Sequence, residues 1–498
     1  MPHSLESQFC KDQLALRAVA VNSVRSQPEG EYLLYWMQST HRFEENWALR
    51  LAVIEADRLN LPLLVHQGLD PTYANANDRI HSFILQNAQE LAQRADASGL
   101  HYHFCLRRKR NDDRRVVDRL GSRAAMVITD HFPTCGIAER TARFAERAGC
   151  RVVAVESHGI VPAGTFAREE YAARTIRPKL KALLPLALEP VEDRAPRRSA
   201  KQSLLASLDV ETLDLRSLDV ARAVQQCEID HGVAPASTPS GLSAARARLN
   251  AFCADGLRNY ADRRADPNDD EGTSRLSPYL HFGQIAPAEV ARAVTDAVPT
   301  ATAEAFLGEF VVWRELALNF CMQNPKYATL RGLPNWAYES LREHAKDPRD
   351  YRYSLQQLEQ AQTHHPLWNA AQRELVCTGS MHNYLRMLWG KNLLLWTRRV
   401  ADALRWMIEL NDKYALDGRD PNSYGGIQWC LGKFDRPFAR RPVLGMVRPM
   451  SLERARARFD ADLYIRRWSP TAPPPDGQNE LPLGNASPVK PSRARRGS

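Results

Sequence analysis

The spacing of apolar residues changes along this chain, and the change constrains its fold more than any other feature. Between Glu31 and Glu156, short apolar runs rich in branched residues alternate with longer segments of helical period. The runs occupy residues 32–37, 61–66, 100–106, 125–128 and 151–155. Strand and helix therefore alternate, and we expect a doubly wound, Rossmann-like α/β domain: a parallel sheet covered by helices on both faces.

The segments between the runs place apolar residues three or four positions apart, which predicts helices. They occupy residues 43–60, 80–99, 107–121 and 136–150. Folds of this kind often hold a nucleotide or a ring-shaped ligand at the strand ends. The sequence contains neither G-x-G-x-x-G nor G-x-x-x-x-G-K-[ST], so neither phosphate-binding loop is predicted.

The rest of the chain divides by composition. Residues 186–239 are rich in proline, serine and charge and predict an interdomain linker. From 240 to 468 helical periods follow one another, so we expect an all-helical second domain beside the α/β domain of residues 30–185. Residues 1–29 form an N-terminal extension, and residues 469–498, with seven prolines, predict a disordered tail rich in proline and arginine.

Charge and cysteine usage exclude several classes of protein. The net charge of +9 permits a polyanionic partner without requiring one. Nine cysteines without a C-x-x-C pair, and no H-E-x-x-H, predict reduced packing residues and no metal site. With no apolar run of 18 residues and no secretory start, we expect a soluble, monomeric, cytoplasmic protein, associated with the nucleoid in a bacterium. The tail run KPSRARR leaves a nuclear or organellar location open.

Tryptophan is concentrated in the helical half, which holds eight of the ten. Trp389 and Trp396 are seven residues apart on one predicted helix, which places them on one stripe roughly 10 Å apart along the axis. Indoles at that spacing could relay electrons. An ordinary core stripe explains the same pair equally well.

Other residue patterns in this half are open to two interpretations. Glu309 and Trp313 stand at i and i+4, so a carboxyl group and a π-face share one side of a helix and could bind a flat heterocycle. A solvated glutamate beside a core tryptophan is the alternative. Arg386 and Asp417 could flank an anionic cofactor or simply join two helices. Basic residues near aromatic ones at 260–268 and 429–448 suit phosphate contacts beside stacked bases, or a solvated basic loop.

Six runs, taken in order over roughly residues 30 to 468, resemble the photolyase/cryptochrome superfamily and, within it, the class II cyclobutane pyrimidine dimer DNA photolyases. The runs are YWMQSTHRFEENWALRLA, EYAARTIRPKL, TSRLSPYLHFGQI, EFVVWREL, THHPLWNAAQRELVCTGSMHNYLRMLWGKNLLLW and LNDKYALDGRDPNSYGGIQW. The resemblance implies an N-terminal α/β domain and a helical domain that encloses FAD, in agreement with the two halves predicted above.

The resemblance also implies cofactor contacts. Asn411 matches an asparagine that faces flavin N5, where a neutral amide favours the reduced flavin. Arg386 and Asp417 match the ion pair beside the flavin, and Gly418, the residue after Asp417, is expected in the cofactor site as well. Residues matching those that hold the phosphates and the ribityl chain are Tyr260, Thr273, Ser274, Leu276 and Ser277.

The same resemblance implies a DNA site and an electron-transfer chain. Glu309 should bind a lesion carbonyl, Trp313 and Trp429 should stack on its two pyrimidines, and Met387 should pack against the dimer. Expected DNA-binding residues are Arg264, Trp313, Trp429, Phe438, Arg440 and Arg441. The photoreduction chain should run outward from the flavin through Trp389, Trp368 and Trp396.

The activity implied is light-driven: excited FADH− gives an electron to a flipped-out pyrimidine dimer in UV-damaged DNA, both cyclobutane bonds break, and the electron returns, with no metal and no hydrolysis. A second, antenna chromophore of the 8-hydroxy-5-deazaflavin type is left open. Two departures from the family pattern, Phe438 in place of tryptophan and Ala265 in place of a polar residue, affect the expected DNA contacts. The alternatives are a cryptochrome-like blue-light sensor without repair activity and an unrelated nucleotide-dependent α/β enzyme.

Overall fold

The N-terminal half contains one six-stranded sheet in the order β1-β6-β5-β2-β3-β4. The computed structural model describes residues 13–27, 29–190 and 192–470. The strands are β1 (Ala18–Ala20), β2 (Tyr32–Met37), β3 (Leu63–Leu69), β4 (His101–Leu106), β5 (Ala124–Asp130) and β6 (Arg151–Val155). The last five are parallel, as predicted, and β1 adds an antiparallel edge strand from the N-terminal extension.

Helices cover both faces of this sheet, which confirms the doubly wound arrangement. The first four helices are α1 (Trp47–Leu59), α2 (Asp78–Ala95), α3 (Val116–Ser122) and α4 (Ile137–Ala145). Alternate residues of β2 enter different cores: Leu33 packs in the core with α1, and Leu34 packs on the opposite face with α3 and α4. Since both faces are buried, β2 and most of β5 are apolar without alternation, whereas β3 and β4 also bury His66, Gln67 and His103.

One predicted helix is shorter than its sequence pattern. The segment predicted as helical from residue 107 becomes helical only at Val116. Before that point the Asp112 carboxylate accepts hydrogen bonds from the backbone N–H groups of Arg108 and Lys109 at 2.9 and 2.8 Å. These bonds form a local turn that competes with the helix.

The linker predicted at residues 186–239 folds back across the α/β domain. The Leu63 N–H donates to the Arg198 carbonyl at 2.9 Å, and Leu205 is buried on the sheet. The helix before the linker, α5 (Ala173–Ala187), packs instead on the helical half, with Ile176 buried against Leu316. The linker itself contains two short helices, α6 (Gln202–Ser207) and α7 (Val220–Gln225).

The second half is helical, as predicted: among the described residues after 240, no strand occurs. Its helices are α8 (Leu242–Ala251), α9 (Tyr260–Arg263), α10 (Ser277–His281), α11 (Pro287–Ala297), α12 (Thr300–Gln323), α13 (Asn335–Glu343), α14 (Leu355–Glu359), α15 (Pro366–Thr378), α16 (Asn383–Trp396), α17 (Val400–Tyr414), α18 (Pro421–Cys430), α19 (Leu452–Ala455) and α20 (Ala461–Arg467). A π-helical turn at Phe252–Gly256 and 3-10 turns at Ala163–Thr165 and Leu330–Gly332 complete the elements.

The carboxyl ends of the parallel strands face the helical half. Asp130, at the end of β5, accepts the backbone N–H groups of Gln38, Ser39 and Thr40 at 2.7, 2.7 and 3.0 Å. The next residue, His41, donates its N–H to the Phe282 carbonyl of the helical half at 3.0 Å. The two halves are therefore joined directly at the strand ends.

Several predicted absences concern only part of the chain. No helix within residues 13–27, 29–190 and 192–470 is long and apolar enough to cross a membrane, and no metal-binding group occurs there. The eight cysteines in those ranges are free. The disorder predicted for 469–498 falls outside the described residues, apart from Ser469 and Pro470.

Candidate active site in the helical half

Two tryptophans of the candidate site lie on antiparallel helices. The Cys321 thiol of α12 lies 3.9 Å from the Pro421 carbonyl of α18, and a Cβ on Gly425 would lie 3.0 Å from the Cβ of Ala317. From the first contact to the second, α12 goes back four residues, from Cys321 to Ala317, while α18 advances four, from Pro421 to Gly425. The next step places Trp313 opposite Trp429, and both indoles are only partly buried.

Helix α16 runs beside α18 in the same direction. The Met387 methyl group lies 3.2 Å from the position of a Cβ on Gly426, and a Cβ on Gly390 would lie 2.7 Å from the Cys430 sulfur. The helices therefore cross closely where α18 has no bulky side chain. This crossing brings Met387 beside the helix face that carries Trp429.

Glu309 and Arg264 contact each other. The Arg264 Nη1 lies 2.9 Å from Glu309 Oε1, with the two side chains 35% and 38% exposed. The Arg264 guanidinium also lies 5.5 Å from the centre of the Tyr260 ring. The sequence had suggested separate DNA partners for the two residues. At this exposure an ion pair contributes about 0–1 kcal/mol, so both groups can exchange partners easily.

The loop after α17 gathers the groups expected beside a flavin. The Arg386 Nη2 donates to Asp417 Oδ1 at 2.9 Å, and both side chains are largely buried. A Cβ on Gly418 would lie 2.8 Å from the Asn411 carbonyl oxygen, so only glycine allows this close approach. The turn after α17 thus brings Asp417 back towards Asn411 in the last turn of that helix, and Arg386 reaches Asp417 from α16.

Asp412 fixes the orientation of the Asn411 amide. The Asn411 Nδ2 donates to Asp412 Oδ1 at 3.1 Å, and the same carboxylate accepts the Arg419 N–H at 2.9 Å and the Tyr424 hydroxyl at 3.1 Å. A carboxylate only accepts hydrogen bonds, so the amide nitrogen must face it. The Asn411 Oδ1 is left without a partner in the described part of the chain and can accept a proton donor.

A second group of predicted residues lies on the loop before α10. Arg248 holds this loop by donating to the carbonyls of Thr273 and Ser274 at 2.9 and 3.0 Å. The backbone is thereby tied, while the hydroxyls of Thr273, Ser274 and Ser277 have no hydrogen-bond partner among the described residues. Leu276 is buried beneath them.

These groups fit FAD. Free hydroxyls suit the phosphates and the ribityl chain, and the Asn411 Oδ1 suits the N–H that reduced flavin carries at N5. Tyr260 is buried against Phe306 at 5.2 Å between ring centres and can form an apolar wall. Hydroxyls, an amide oxygen and an ion pair are the kinds of group that a dinucleotide needs at its phosphates and at its ring.

Three predicted tryptophans form a continuous contact chain. The rings of Trp389 and Trp368 are stacked with centres 6.2 Å apart and planes 9° apart. Trp368 then meets Trp396 at 5.6 Å with planes 64° apart. All three are at most 6% exposed. The order of contacts is the order predicted, although Trp368 comes from another helix.

The remaining predicted DNA residues lie on the segment after α18. Phe438 is flanked by Arg448 and Arg436, whose guanidinium carbons lie 4.5 and 5.2 Å from its ring centre. Arg440 pairs with Glu343 at 3.0 Å on the surface. Arg441 is also exposed. None of the three contacts the flavin groups described above.

Three residues of this site escape sequence reasoning: Asp412, Arg248 and Lys391. Asp412 is adjacent to Asn411, but a neighbouring carboxylate has no periodic signal. Arg248 lies on α8, far from its loop in sequence. Lys391 is fully buried against Trp429, although lysine in a helix normally predicts an exposed face.

Comparisons with known proteins agree with this geometry. Residues 33–197 match the family model described as DNA photolyase, and residues 306–477 match the FAD binding domain of DNA photolyase. A deoxyribodipyrimidine photo-lyase from Methanothermobacter thermautotrophicus is 36% identical over 88% of this chain and 94% of its own length. One from Arabidopsis thaliana is 34% identical over 87% of this chain and 88% of its own.

Solved structures share the fold. A class III photolyase from Agrobacterium tumefaciens covers 90% of this chain and 88% of its own, with a TM-score of 0.63 and 18% identity. A cryptochrome from Synechocystis covers 88% of each chain with a TM-score of 0.65 and 17% identity. A photolyase from Sulfolobus tokodaii, solved with two FAD molecules, has a TM-score of 0.62 and 18% identity. At such identities the likeness concerns the fold alone.

Proposed function

Since this chain belongs to the DNA photolyase family and carries its FAD-binding domain, we propose that it is a class II enzyme that repairs cyclobutane pyrimidine dimers in DNA with light. The observation that carries the proposal is the placement of Trp313 opposite Trp429 with Glu309 one turn away. Two π-faces and one hydrogen-bonding carboxyl group suit a flat, paired pyrimidine. The name deoxyribodipyrimidine photo-lyase, shared by relatives over most of the chain, supports the same substrate.

When bound and reduced, FAD supplies the light absorption and the single electron that the reaction needs. The chain's residues would hold it: the hydroxyls at 273, 274 and 277 at its phosphates, and Arg386 with Asp417 beside the ring. The Asn411 Oδ1, directed by Asp412, would accept a hydrogen bond from the N5–H group and so favour the reduced form.

The tryptophans would hold the lesion outside the duplex. Flipping a damaged pair costs a few kcal/mol, less than flipping an intact one. Stacking contributes about 1–3 kcal/mol per base, so Trp313 and Trp429 together are of the right size to offset this cost. Met387 would close the space beside the dimer.

The Glu309–Arg264 pair would open when DNA binds. Arg264 would move to a phosphate and Glu309 to a carbonyl of the lesion, which costs little because the pair is partly exposed. Arg440 and Arg441 would add phosphate contacts without sequence preference, and Phe438 would fill the gap that the flipped bases leave.

The contact chain of Trp389, Trp368 and Trp396 would restore the reduced flavin by passing electrons inward. The ring of Trp368 contacts the rings of both Trp389 and Trp396. Among residues 13–27, 29–190 and 192–470, no cation lies over any of the three rings. A nearby positive charge would disfavour the oxidised indole. This environment therefore suits transient oxidation.

The test is a repair assay on the reduced holoenzyme. Duplex DNA with a single thymine dimer should lose the dimer under blue light and keep it in the dark. The variant Glu309→Ala should retain FAD but repair with a lower yield per photon. Glu304→Ala, an exposed position on the same helix α12, is the matched control and should repair normally.

Two outcomes would count against the proposal. Dimers that survive blue light while reduced FAD is bound would favour a light sensor on the same scaffold. A Glu309→Ala yield equal to that of Glu304→Ala would remove the role assigned to Glu309.

A further inference from the structure

Lys391 is a buried cation without a counter-ion. It lies on α16 with none of its surface exposed, and within the described ranges no carboxylate forms an ion pair with it. Its ammonium donates one long hydrogen bond, of 3.4 Å, to the Trp429 carbonyl. The same nitrogen lies 4.8 Å from the centre of the Trp429 indole. The partners of this charge are thus one backbone carbonyl and a π-system, both of Trp429.

The groups around Lys391 do not neutralise it. Asp435 is the carboxylate that acts electrostatically on Lys391, but it accepts two hydrogen bonds, of 2.6 and 2.9 Å, from Arg448. Burial raises the pKa of the Cys430 thiol to about 11, so this residue is neutral. The Arg448 guanidinium carbon itself lies 5.8 Å from the Trp429 ring centre. The surroundings of Trp429 are therefore net positive.

Stability does not account for this arrangement. An unpaired charge in the interior is costly, and apolar replacements of buried charges are often neutral or stabilising. Burial lowers the pKa of Lys391 to about 8, which still leaves it mainly protonated at neutral pH. A charged group held in this way at a ligand site gains its partner when negative charge develops there.

We propose that Lys391 stabilises the negative charge that the pyrimidine dimer acquires while stacked on Trp429. The inference rests on the proposed function, which places the dimer against this indole. Lys391 shares a helix face with Met387, one turn away, so the ammonium lies on the same side of α16 as the residue expected beside the dimer. It acts across Trp429, as a positioning and electrostatic residue that does not touch the substrate.

The charge balance needs no further reactant. Bound, reduced FAD would supply one electron to the dimer, which would become an anion while its two cyclobutane bonds break. The same electron would return to the cofactor once both pyrimidines are free. Lys391 keeps its proton throughout, and its fixed charge favours the state in which the electron resides on the dimer.

The experiment compares Lys391→Met with Lys391→Arg in the FAD-loaded, reduced enzyme at saturating thymine-dimer DNA. We expect Lys391→Met to lower the repair yield per absorbed photon on the order of threefold or more, with DNA affinity nearly unchanged. Lys391→Arg keeps the charge and should recover most of the yield. Flavin fluorescence decay gives a second readout: DNA should shorten it less in Lys391→Met, while the decay without DNA stays as in the parent.

The outcomes separate this inference from the function beneath it. If the parent enzyme leaves dimers unrepaired, the proposed function fails. If the parent repairs and Lys391→Met repairs with the same yield, only the role of Lys391 fails. An equal loss in Lys391→Met and Lys391→Arg, with normal DNA binding, would also overturn it, because the effect would then follow shape and not charge.

Discussion

Arg79 is the residue whose replacement should most clearly loosen the contact between the ends of α15 and α17. It lies in the first turn of α2 in the α/β domain, yet its buried guanidinium reaches the helical half. Its nitrogens donate to the Tyr414 carbonyl at the end of α17 at 2.7 Å and to the Val376 carbonyl in the last turn of α15 at 2.8 Å. It thus caps both the helix that carries Asn411 and the helix that carries Trp368.

The size of the effect follows from these bonds. Three of the five carbonyl contacts of Arg79 are 3.0 Å or shorter: those to Ala234, Val376 and Tyr414. Burial lowers its pKa to about 10, so it remains charged at neutral pH. A hydrogen bond to a charged group contributes about 1.5–3 kcal/mol, partly offset by the burial of the charge. We expect Arg79→Met to destabilise the local structure by about 3–5 kcal/mol.

Hydrogen exchange in the holoenzyme measures this local destabilisation directly. The Leu416 N–H donates to the Gly379 carbonyl at 2.9 Å and so reports whether the ends of α15 and α17 stay together. A loss of about 3 kcal/mol or more predicts an exchange roughly 100-fold faster at this amide. FAD should also dissociate at a lower temperature, because Asn411 is one turn from Tyr414.

Arg405→Met is the matched control for this experiment. Arg405 is an exposed arginine on the same helix α17, and in the described part of the chain its one ion pair is with Asp402, at 3.2 Å. An exposed pair of this kind contributes little, so exchange at Leu416 should not change. If Arg79→Met leaves Leu416 exchange within threefold of the parent, the capping argument is wrong.

Three further changes test other contacts. Trp368→Phe should block photoreduction of FAD, followed by absorbance, yet leave repair by chemically reduced enzyme within about twofold; normal photoreduction would exclude the chain. Asp412→Asn replaces the charge-assisted bond to Asn411 by a neutral one about 1 kcal/mol weaker and should lower the one-electron reduction potential that forms the fully reduced flavin by roughly 40 mV, whereas an unchanged potential would contradict the role of Asp412. Burial lowers the pKa of His103 to about 4 and that of His66 well below its ordinary value. Below about pH 6.5 the unfolded chain therefore binds more protons than the folded one, and stability decreases as the pH is lowered. Replacing both by leucine should reduce the loss between pH 7 and 5 by about 2 kcal/mol per histidine, measured by urea unfolding, and equal slopes would refute this.

The sequence predicts the five parallel strands well because each contains a short run of buried apolar residues, although β3 and β4 also bury His66, Gln67 and His103. It does not predict β1, whose three residues, Ala18–Ala20, have no such pattern, and Val19 is 49% exposed. Their strand conformation comes from pairing with β6, a contact between residues more than 130 positions apart. Pairing over such a distance leaves no local signal.

The same limit applies to the site. Periodicity places Trp389 and Trp396 on one stripe, but Trp368 enters their chain through the packing of α15 on α16, which no spacing within one helix encodes. Trp313 and Trp429 are likewise brought together by helix packing. The resemblance to a family supplied these members, and the structure shows that helix packing, not spacing along one helix, brings them near one another.

Helix α16 separates the two electron-transfer steps of the proposed reaction. At about 100° per residue, Met387 and Lys391 occupy one side of the helix, and Trp389 and Trp396 lie nearly opposite. The first side contains a buried positive charge, which favours an anion such as the reduced dimer. The second side has no cation over its rings in the described residues, which favours an oxidised indole. Because both charges would form near one flavin, this division allows a single helix to stabilise each on its own face, and exchanging the two environments would impair both steps.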